Sequence, residues 1–192
     1  MPLLKNQRST KTIKMNRIII IDLEATCWDG PIPAGQINEI IEIGICILNT
    51  STGEITKNEG LLIQPQRSEV SPFCTSLTTI TQKMLDDKGV SLKQACDMIR
   101  NEYKGYQYTW ASYGQYDLNM MRKECKAKGV AYPLSDNHIN VKELVAEKAL
   151  LKKRVGMKQA LDFLNIPLEG THHRGIDDAK NIAKILKWCL NI

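Results

Sequence analysis

The sequence predicts an α/β protein in which one central mixed sheet is covered by helices on its faces. Three strand-like segments come first, at residues 17–25, 38–49 and 54–65, and from about residue 90 strand and helix patterns alternate. Short β-branched runs indicate buried strands, whereas apolar positions repeating every three to four residues indicate amphipathic helices. A sheet with helices on its faces is the layer arrangement that buries both kinds of apolar surface.

The strands are predicted from their composition and from the turns between them. "RIIIIDLEA" (17–25) is short, continuous and β-branched, which is typical of a buried strand. "STGE" (51–54) separates the second and third strands and has the composition of a tight turn, so these two should form an antiparallel hairpin. "YQYTWAS" (106–112) is the fourth predicted strand.

The helices are predicted from apolar periodicity and from capping residues. A loop containing Pro72 precedes a short helical turn at 78–85, and Ser91 is a suitable N-cap for a helix at 91–103. Gly129 is a suitable C-terminal residue for the next helix, and Asn140 with Glu143 resembles a capping box. The remaining predicted helices lie at 115–129, 140–151, 157–165 and 176–190.

Length and composition are those of an ordinary globular domain. The chain has 192 residues, six cysteines and a net charge of +5, and its longest apolar run is too short to span a membrane. No C-x-x-C pair suggests a zinc site, and no G-x-G-x-x-G or P-loop suggests a nucleotide cradle. Free, mostly buried thiols are expected, which favours a cytoplasmic location.

Residues 1–15 are expected to form a flexible basic arm ahead of a domain at 16–192. The first 21 residues contain five basic side chains and no acid, and they lack the apolar core of a secretory signal. Three interpretations stay open: an arm that touches nucleic acid, a segment upstream of a true start at Met15, or a transit peptide.

Two acids close the first strand. Asp22 and Glu24 are two residues apart, so both side chains point to the same face of the strand. A solvated strand end explains an isolated D-x-E pair, but four isoleucines precede Asp22 and suggest a central strand. Ligands of α/β sheets bind beyond the carboxyl ends of such strands, and paired carboxylates there favour Mg²⁺ or Mn²⁺.

Two further acids begin helices. Asp117 opens the helix after the fourth strand, where a favourable interaction with the helix dipole is by itself the simpler explanation. In the last helix, Asp178 heads a row containing Ile182 and Ile185 that faces protein, whereas Asp177 heads a row with Asn181 that should face solvent. An inward acid needs a partner, so the helical phase selects Asp178.

Histidines in the loop before that helix are candidates for a general base. Only histidine titrates near neutral pH without perturbation, which suits it to removing a proton from water. His172 and His173 are adjacent, and the sequence pattern alone does not choose between them. His138 precedes another helix, where a surface role is expected.

The ordered set of D-x-E, then Y-D, then H-x-x-x-x-D resembles the DEDDh family of 3′–5′ exonucleases. "DLEATCW", "NEIIEIG", "WASYGQYD" and "HHRGIDDAKNIA" are similar to the enhancer-of-RNAi-type exonucleases in particular. The resemblance implies a ribonuclease-H-like fold with a five-stranded sheet and two divalent cations, Mg²⁺ or Mn²⁺. It further implies cleavage of single-stranded RNA or DNA, including 3′ overhangs, to 5′-mononucleotides.

The resemblance also implies a role for each site residue. Asp22 matches the acid shared by both metals, Glu24 and Asp178 match ligands of the metal on the nucleophile side, and Asp117 matches the acid supporting the second metal. His173 matches the general base, because it lies five residues before Asp178.

Substrate-binding residues are expected near the end of the first strand. The backbone at Ala25 and Thr26 is a candidate receiver of the terminal sugar, and Leu77 resembles an apolar residue that packs on terminal bases, although core packing explains it equally well. Trp28 is a candidate for stacking on a base or for a core or rim position. Trp110 and Trp188 are expected in the core.

A basic segment precedes the penultimate helix. Lys152, Lys153, Arg154 and Lys158 form either a solvated face or a patch that follows phosphates. Two alternatives to a free-standing exonuclease stay open: a trimming subunit with protein partners in a larger processing complex, and a nucleic-acid-binding module with a silent site. The intact set of five residues argues against the silent module.

Overall fold

The computed structural model describes residues 16–192; the predicted basic arm, residues 1–15, lies outside them. Five strands form one sheet: β1 (Arg17–Ala25), β2 (Ile40–Asn49), β3 (Ile55–Leu62), β4 (Thr109–Ser112) and β5 (His138–Asn140). Seven helices accompany it in this part of the chain: α1 (Pro72–Thr78), α2 (Gln82–Lys88), α3 (Leu92–Asn101), α4 (Tyr116–Ala127), α5 (Val141–Lys148), α6 (Met157–Phe163) and α7 (Gly175–Leu190).

The sheet is mixed and has the order β3-β2-β1-β4-β5. β1 pairs antiparallel with β2 and parallel with β4, so it is the central strand. β2 and β3 form the predicted antiparallel hairpin, and β4 pairs parallel with β5 at the edge. The predicted mixed sheet with helices on its faces is therefore confirmed, and Asp22 and Glu24 lie at the carboxyl end of its central strand.

The alternation of side chains along β1 divides the core into two layers. Ile19, Ile21 and Leu23 pack with α3 and α4 on one face of the sheet. Ile18 and Ile20 pack with α5, α6 and α7 on the other face. Since Asp22 and Glu24 continue the Ile18–Ile20 side of the strand, the pleat directs both carboxylates towards the layer that contains α7.

Two glycines allow α7 to begin directly against the sheet. A Cβ atom on Gly44 of β2 would lie 1.8 Å from the backbone oxygen of Gly175, the first residue of α7. No side chain fits in that gap, so glycine at position 44 lets the amino end of α7 approach β2 closely. This approach brings the first turn of α7 to the carboxylates of β1.

Several capping predictions agree with the structure. Ser91 caps α3 in a capping box with Gln94, whereas the predicted box at α5 is half formed: the Asn140 side chain accepts a hydrogen bond from the backbone N–H of Glu143. α4 ends at Ala127, and Gly129 beyond it has a φ of +64°, the left-handed conformation that glycine adopts readily. The six cysteines are free, as predicted, and all except the partly exposed Cys27 are buried.

Two short elements were missed by the sequence interpretation. The predicted loop around Pro72 is helix α1, which Ser71 caps and in which proline occupies the first turn, where its missing N–H costs nothing. The three-residue strand β5 was not predicted, because three residues are too few to show a period. No helix within residues 16–192 has the length and apolarity to cross a membrane.

The structure also corrects two side-chain predictions. His138 was expected at the surface, but it is half-buried in β5, with its ring 4.2 Å from that of Trp110 and Nε2 2.9 Å from Ser112 Oγ. Trp110 is fully buried as predicted, whereas Trp188 is 38% exposed on α7 and is not a core residue.

Candidate active site

An open cleft of about 220 Å³ lies at the carboxyl end of β1. It collects all five residues of the predicted catalytic set, together with His172 and four residues that the sequence interpretation had not selected. The lining residues are Asp22, Leu23, Glu24, Tyr113, Tyr116, Asp117, Met157, His172, His173 and Asp178.

Asp178 lies where the helical phase predicted. Its row on α7 is buried, and its side chain is 4% exposed and directed at β1. Oxygen atoms of Asp22, Glu24 and Asp178 lie within 4.8 Å of one another, close enough to share one metal ion. Two segments far apart in sequence, β1 and α7, therefore supply a compact carboxylate group.

Asp117 reaches the cleft from α4, which packs on the face of the sheet opposite α7. It stands in the first turn of α4 and is 5% exposed. Its Oδ1 accepts a 3.0 Å hydrogen bond from the backbone N–H of Leu23, so the side chain is fixed to β1 between Asp22 and Glu24. Asp117 thus joins the carboxylate group rather than merely interacting with the helix dipole.

The acids perturb one another because they are buried together. Burial, and then the charges of Asp117 and Glu24, raise the pKa of Asp22 well above its usual value. Burial and the neighbouring Asp178 raise the pKa of Glu24 to about 8. Burial also raises the pKa of Asp117 to about 6, although its hydrogen bond from Leu23 acts in the opposite direction.

Such a group of acids is well suited to divalent cations. Ionised, repelling carboxylates in a buried position are costly unless a positive charge compensates them. Hard oxygen donors are the ligands that Mg²⁺ and Mn²⁺ prefer. The donor set of Asp22, Glu24, Asp117 and Asp178 therefore fits a metal-dependent site.

The two histidines occupy different positions beside Asp178. His172 Nδ1 lies 3.1 Å from Asp178 Oδ2, and the backbone N–H of His173 donates to the same oxygen at 2.8 Å. The two rings stack with their centroids 3.9 Å apart. Burial and the neighbouring His172 lower the pKa of His173, which favours its neutral, proton-accepting form.

The prediction that Asp177 and Asn181 of α7 face solvent is wrong. Asp177 is half-buried and accepts a 2.8 Å hydrogen bond from the backbone N–H of Thr171, which holds the loop before α7. Asn181 is fully buried, and its amide donates to the carbonyls of Glu169 and Asp177. The helical phase correctly placed these residues on the side of α7 away from the sheet. It did not predict that the loop at 169–171 folds back over that side.

An ion pair next to the histidines was missed by the sequence interpretation. Glu42 of β2 is 1% exposed and lies opposite Glu24 in the β1–β2 register. Arg174 pairs with it at 3.1 Å, and the backbone N–H of Gly175 donates to it at 2.7 Å. Glu42 in "EIIE" (39–42) and an arginine directly after the histidines were the only hints of this pair in the sequence. They did not predict it, because no local pattern links residues 132 positions apart.

The predicted substrate-binding residues differ in how far they are exposed to solvent. Thr26 is buried, its backbone N–H donates to Glu39, and its hydroxyl bonds with Ile37 and Glu39. Thr26 thus supports the loop after β1, and its N–H is not free to receive a sugar. Ala25 and Trp28 are half-buried.

Leu77 is 37% exposed on α1 and is therefore available to a ligand. α1 is anchored next to the end of β1, since Ser71 Oγ donates to the carbonyl of Cys27 and Cys74 Sγ lies 3.6 Å from the carbonyl of Ala25. This anchoring keeps Leu77 on the same side of the molecule as the end of β1.

The fold and the site together define a nuclease of ribonuclease-H-like architecture with a carboxylate active site. The model of the RNase_T exonuclease family matches residues 19–186. The chain belongs to this exonuclease family, and the predicted resemblance to DEDDh exonucleases is confirmed.

Named relatives agree with this assignment. The chain is 32% identical over 177 residues to human 3′-5′ exoribonuclease 1, and the alignment covers 88% of this chain and 50% of that protein. It is 31% identical over 208 residues to the 3′-5′ exonuclease Snipper of Drosophila melanogaster, covering 95% of this chain and 73% of the relative. The chain thus spans about half the length of some curated relatives that it matches.

Solved structures support the same fold. The nuclease domain of 3′hExo, a DEDDh family member bound to rAMP, superposes with a TM-score of 0.79 at 30% identity and covers 93% of both chains. Cell-death related nuclease 4 superposes with a TM-score of 0.78 at 17% identity, which supports the fold alone.

Proposed function

We propose that this chain is a divalent-metal-dependent 3′–5′ exonuclease that removes 5′-mononucleotides from single-stranded ends, with RNA as its principal substrate. The observation that carries the proposal is the convergence of Asp22, Glu24, Asp117 and Asp178 in one open cleft beside His172 and His173. RNA is favoured because the relative in human is a 3′-5′ exoribonuclease and the neighbouring nuclease domain binds rAMP.

The four carboxylates hold the metal ions in this proposal. Asp22 would be the shared ligand, because burial and then the charges of all the other acids of the group raise its pKa. Two divalent ions, Mg²⁺ or Mn²⁺, supply stabilisation of the charge that develops on the attacking and leaving oxygens. Leu23 contributes through its backbone N–H, which keeps Asp117 oriented towards the same point.

His173 is proposed as the general base. Its neutral imidazole accepts the proton of the attacking water at a ring nitrogen, while its backbone N–H holds Asp178 at 2.8 Å. The ring of His172 limits its movement by stacking on it. His173 therefore orients one metal ligand with its backbone and moves a proton with its side chain.

The substrate end is proposed to lie between β1 and α1. Leu77 offers an exposed apolar surface to the terminal base, Ala25 stands at the strand end beside it, and Trp28 is a further stacking surface. Tyr116, 55% exposed at the rim of the cleft, is an aromatic surface for the next base. Single strands suit this arrangement because their bases are free to stack.

The test is digestion of a 5′-labelled single-stranded RNA in Mg²⁺ or Mn²⁺. Asp22→Asn, which keeps the size but removes the charge, should abolish the shortening ladder, whereas Glu69→Gln, an exposed acid outside the cleft, should not. A 3′-phosphate block should also stop digestion. Normal activity of Asp22→Asn, or cleavage of the blocked strand, would contradict the proposal; matched DNA and overhang substrates measure the preference.

A further inference from the structure

A second group of metal ligands overlaps the carboxylate group. Ligand atoms of His172, His173 and Asp178 lie within 4.8 Å of one another. This group differs from the one formed by Asp22, Glu24 and Asp178, because two of its three donors are nitrogen atoms. The two groups share Asp178 and no other residue.

We propose that His172, His173 and Asp178 form a site for Zn²⁺ that inhibits the nuclease. Imidazole nitrogen is a good ligand for zinc and a poor one for Mg²⁺, so the composition of the group selects between the two ions. Three protein ligands with one open position are a common arrangement for zinc. The inhibitory consequence rests on the proposed function, whereas the binding itself does not.

The distances in this group are already near those that zinc requires. Zn–N and Zn–O bonds of about 2.0–2.2 Å place the ligand atoms of a tetrahedral site roughly 3.3–3.5 Å apart. His172 Nδ1 lies 3.1 Å from one oxygen of Asp178 and 3.3 Å from the other. The ligand atom of His173 lies within 4.8 Å of those of both residues, so closing the group around an ion requires only a small approach of the His173 ring.

The surroundings make the group accessible and pre-positioned. The His172 side chain is 31% exposed, so an ion reaches it from solvent. The hydrogen bond from the His173 backbone to Asp178 fixes the loop against the first turn of α7. The neighbouring acids Asp22, Glu24 and Asp117 attract dications into the cleft in the first place.

Zinc in this site acts on two residues of the proposed mechanism. The ion binds the His173 ring nitrogen and so prevents it from accepting a proton. It also occupies an oxygen of Asp178, which is then no longer available as a ligand to the group formed with Asp22 and Glu24. Excess Mg²⁺ does not reverse either effect efficiently, because it does not compete well for the two nitrogen donors.

Calorimetric titration with Zn²⁺ in millimolar Mg²⁺ tests the binding directly. His172→Gln retains a hydrogen-bond donor for Asp178 but removes a zinc ligand, and Glu24→Gln removes a ligand of the carboxylate group only. Loss of an outer partner alone lowers metal affinity about 10–100-fold, so His172→Gln should bind zinc at least about tenfold more weakly. Glu24→Gln should bind within a few-fold of wild type.

The activity arm compares the wild type with His172→Gln. Micromolar zinc should inhibit the wild type in excess Mg²⁺, and His172→Gln should require at least about tenfold more zinc for the same inhibition, in line with its affinity. Equal zinc affinity of His172→Gln and wild type, or loss of binding in Glu24→Gln alone, would overturn the proposal.

Further variants keep the result decisive. If His172→Gln is unfolded by circular dichroism, His173→Gln replaces it in the binding titration, where the same loss is expected and unchanged affinity is contradictory. Because the titration needs no substrate, an inactive wild type with a normal zinc titration would refute the proposed function and leave the zinc site standing.

Discussion

Each acid of the cleft that lies on a helix is held by a backbone N–H from another segment. Leu23 donates to Asp117, and His173 donates to Asp178. Hydrogen bonds to a carboxylate favour its charged form, so they partly oppose the effect of burial on these two groups. These hydrogen bonds keep both acids oriented, in addition to the contact of His172 with Asp178.

The two histidines should differ in their effect on turnover. His173→Ala should lower kcat by about 10²–10⁴-fold, the usual contribution of a general base, because no other group in the proposal accepts the proton. His172→Ala should retain most of the activity, since its contact with Asp178 is supplemented by the His173 backbone. Single-turnover digestion of labelled RNA measures both.

Equal losses for the two variants would mean that the five-residue spacing to Asp178 does not identify the base. Thermal unfolding of both proteins provides the control, because a loss of turnover caused by disorder of the loop would be accompanied by a loss of stability.

At the scale of elements, a buried charge network joins α4 to the loops around the sheet. Glu39, which is fully buried just before β2, accepts hydrogen bonds from the backbone N–H groups of Gln66, Arg67 and Ser68. Lys128, which follows α4, lies 3.1 Å from Glu39 and 2.6 Å from Glu124. Since α4 carries Asp117, this network also positions one side of the cleft.

Glu39 should contribute stability that depends on pH. Burial alone would raise its pKa, but the backbone hydrogen bonds and Lys128 outweigh burial and hold the pKa below its usual value. A lowered folded-state pKa gives stability that is complete above the unfolded-state pKa and is lost as the pH falls through the folded-state value. Glu39→Gln should therefore lower the free energy of unfolding by about 2–4 kcal/mol at pH 7.

The difference between Glu39→Gln and wild type should begin to shrink as the pH falls below about 4.3, where the unfolded-state carboxylate becomes protonated. It should go on shrinking until the folded-state carboxylate is protonated as well. Denaturant unfolding at a series of pH values measures it. Glu69→Gln, an exposed change nearby, should follow the wild type throughout. A difference that stays constant down to acid pH would show that packing, not charge, accounts for the effect of Glu39.

At the scale of the whole molecule, charge is distributed unevenly. Four acids line the cleft, whereas the basic side chains Lys142 and Arg154 line a different surface of the described residues. A groove lined by Tyr113, Tyr116, Lys142 and Arg154 adjoins the cleft and shares both tyrosines with it. Tyr113 also donates to the carbonyl of Val155, which holds the basic segment beside the site.

This groove should follow the phosphates upstream of the 3′ end. In an Asp22→Asn background that binds without cutting, Arg154→Gln should weaken RNA binding and lower the slope of log affinity against log salt by about 1. Lys93→Gln on α3, in the layer packed on the opposite face of the sheet, is the matched control. Fluorescence anisotropy at several salt concentrations measures the slope, and identical slopes would exclude a phosphate contact at Arg154.

The sequence by itself determined four of the five strands, the long helices and the inward direction of Asp178, because apolar periods are local and report which side of an element is buried. It also showed Asp22 and Glu24 at the end of a strand and Asp117 at the start of a helix. Their order along the chain resembles that of the DEDDh exonucleases. Five residues of the site were therefore selected before any distance was known.

Only the tertiary structure decided the contacts between distant segments. The Arg174–Glu42 pair, the buried Asn181, the half-buried His138 and the exposed Trp188 all depend on which segment packs over them. β5 escaped detection because three residues contain no period. A side chain's neighbours across a fold are set by the close approach of whole elements, such as α7 against Gly44, and no local pattern records that approach.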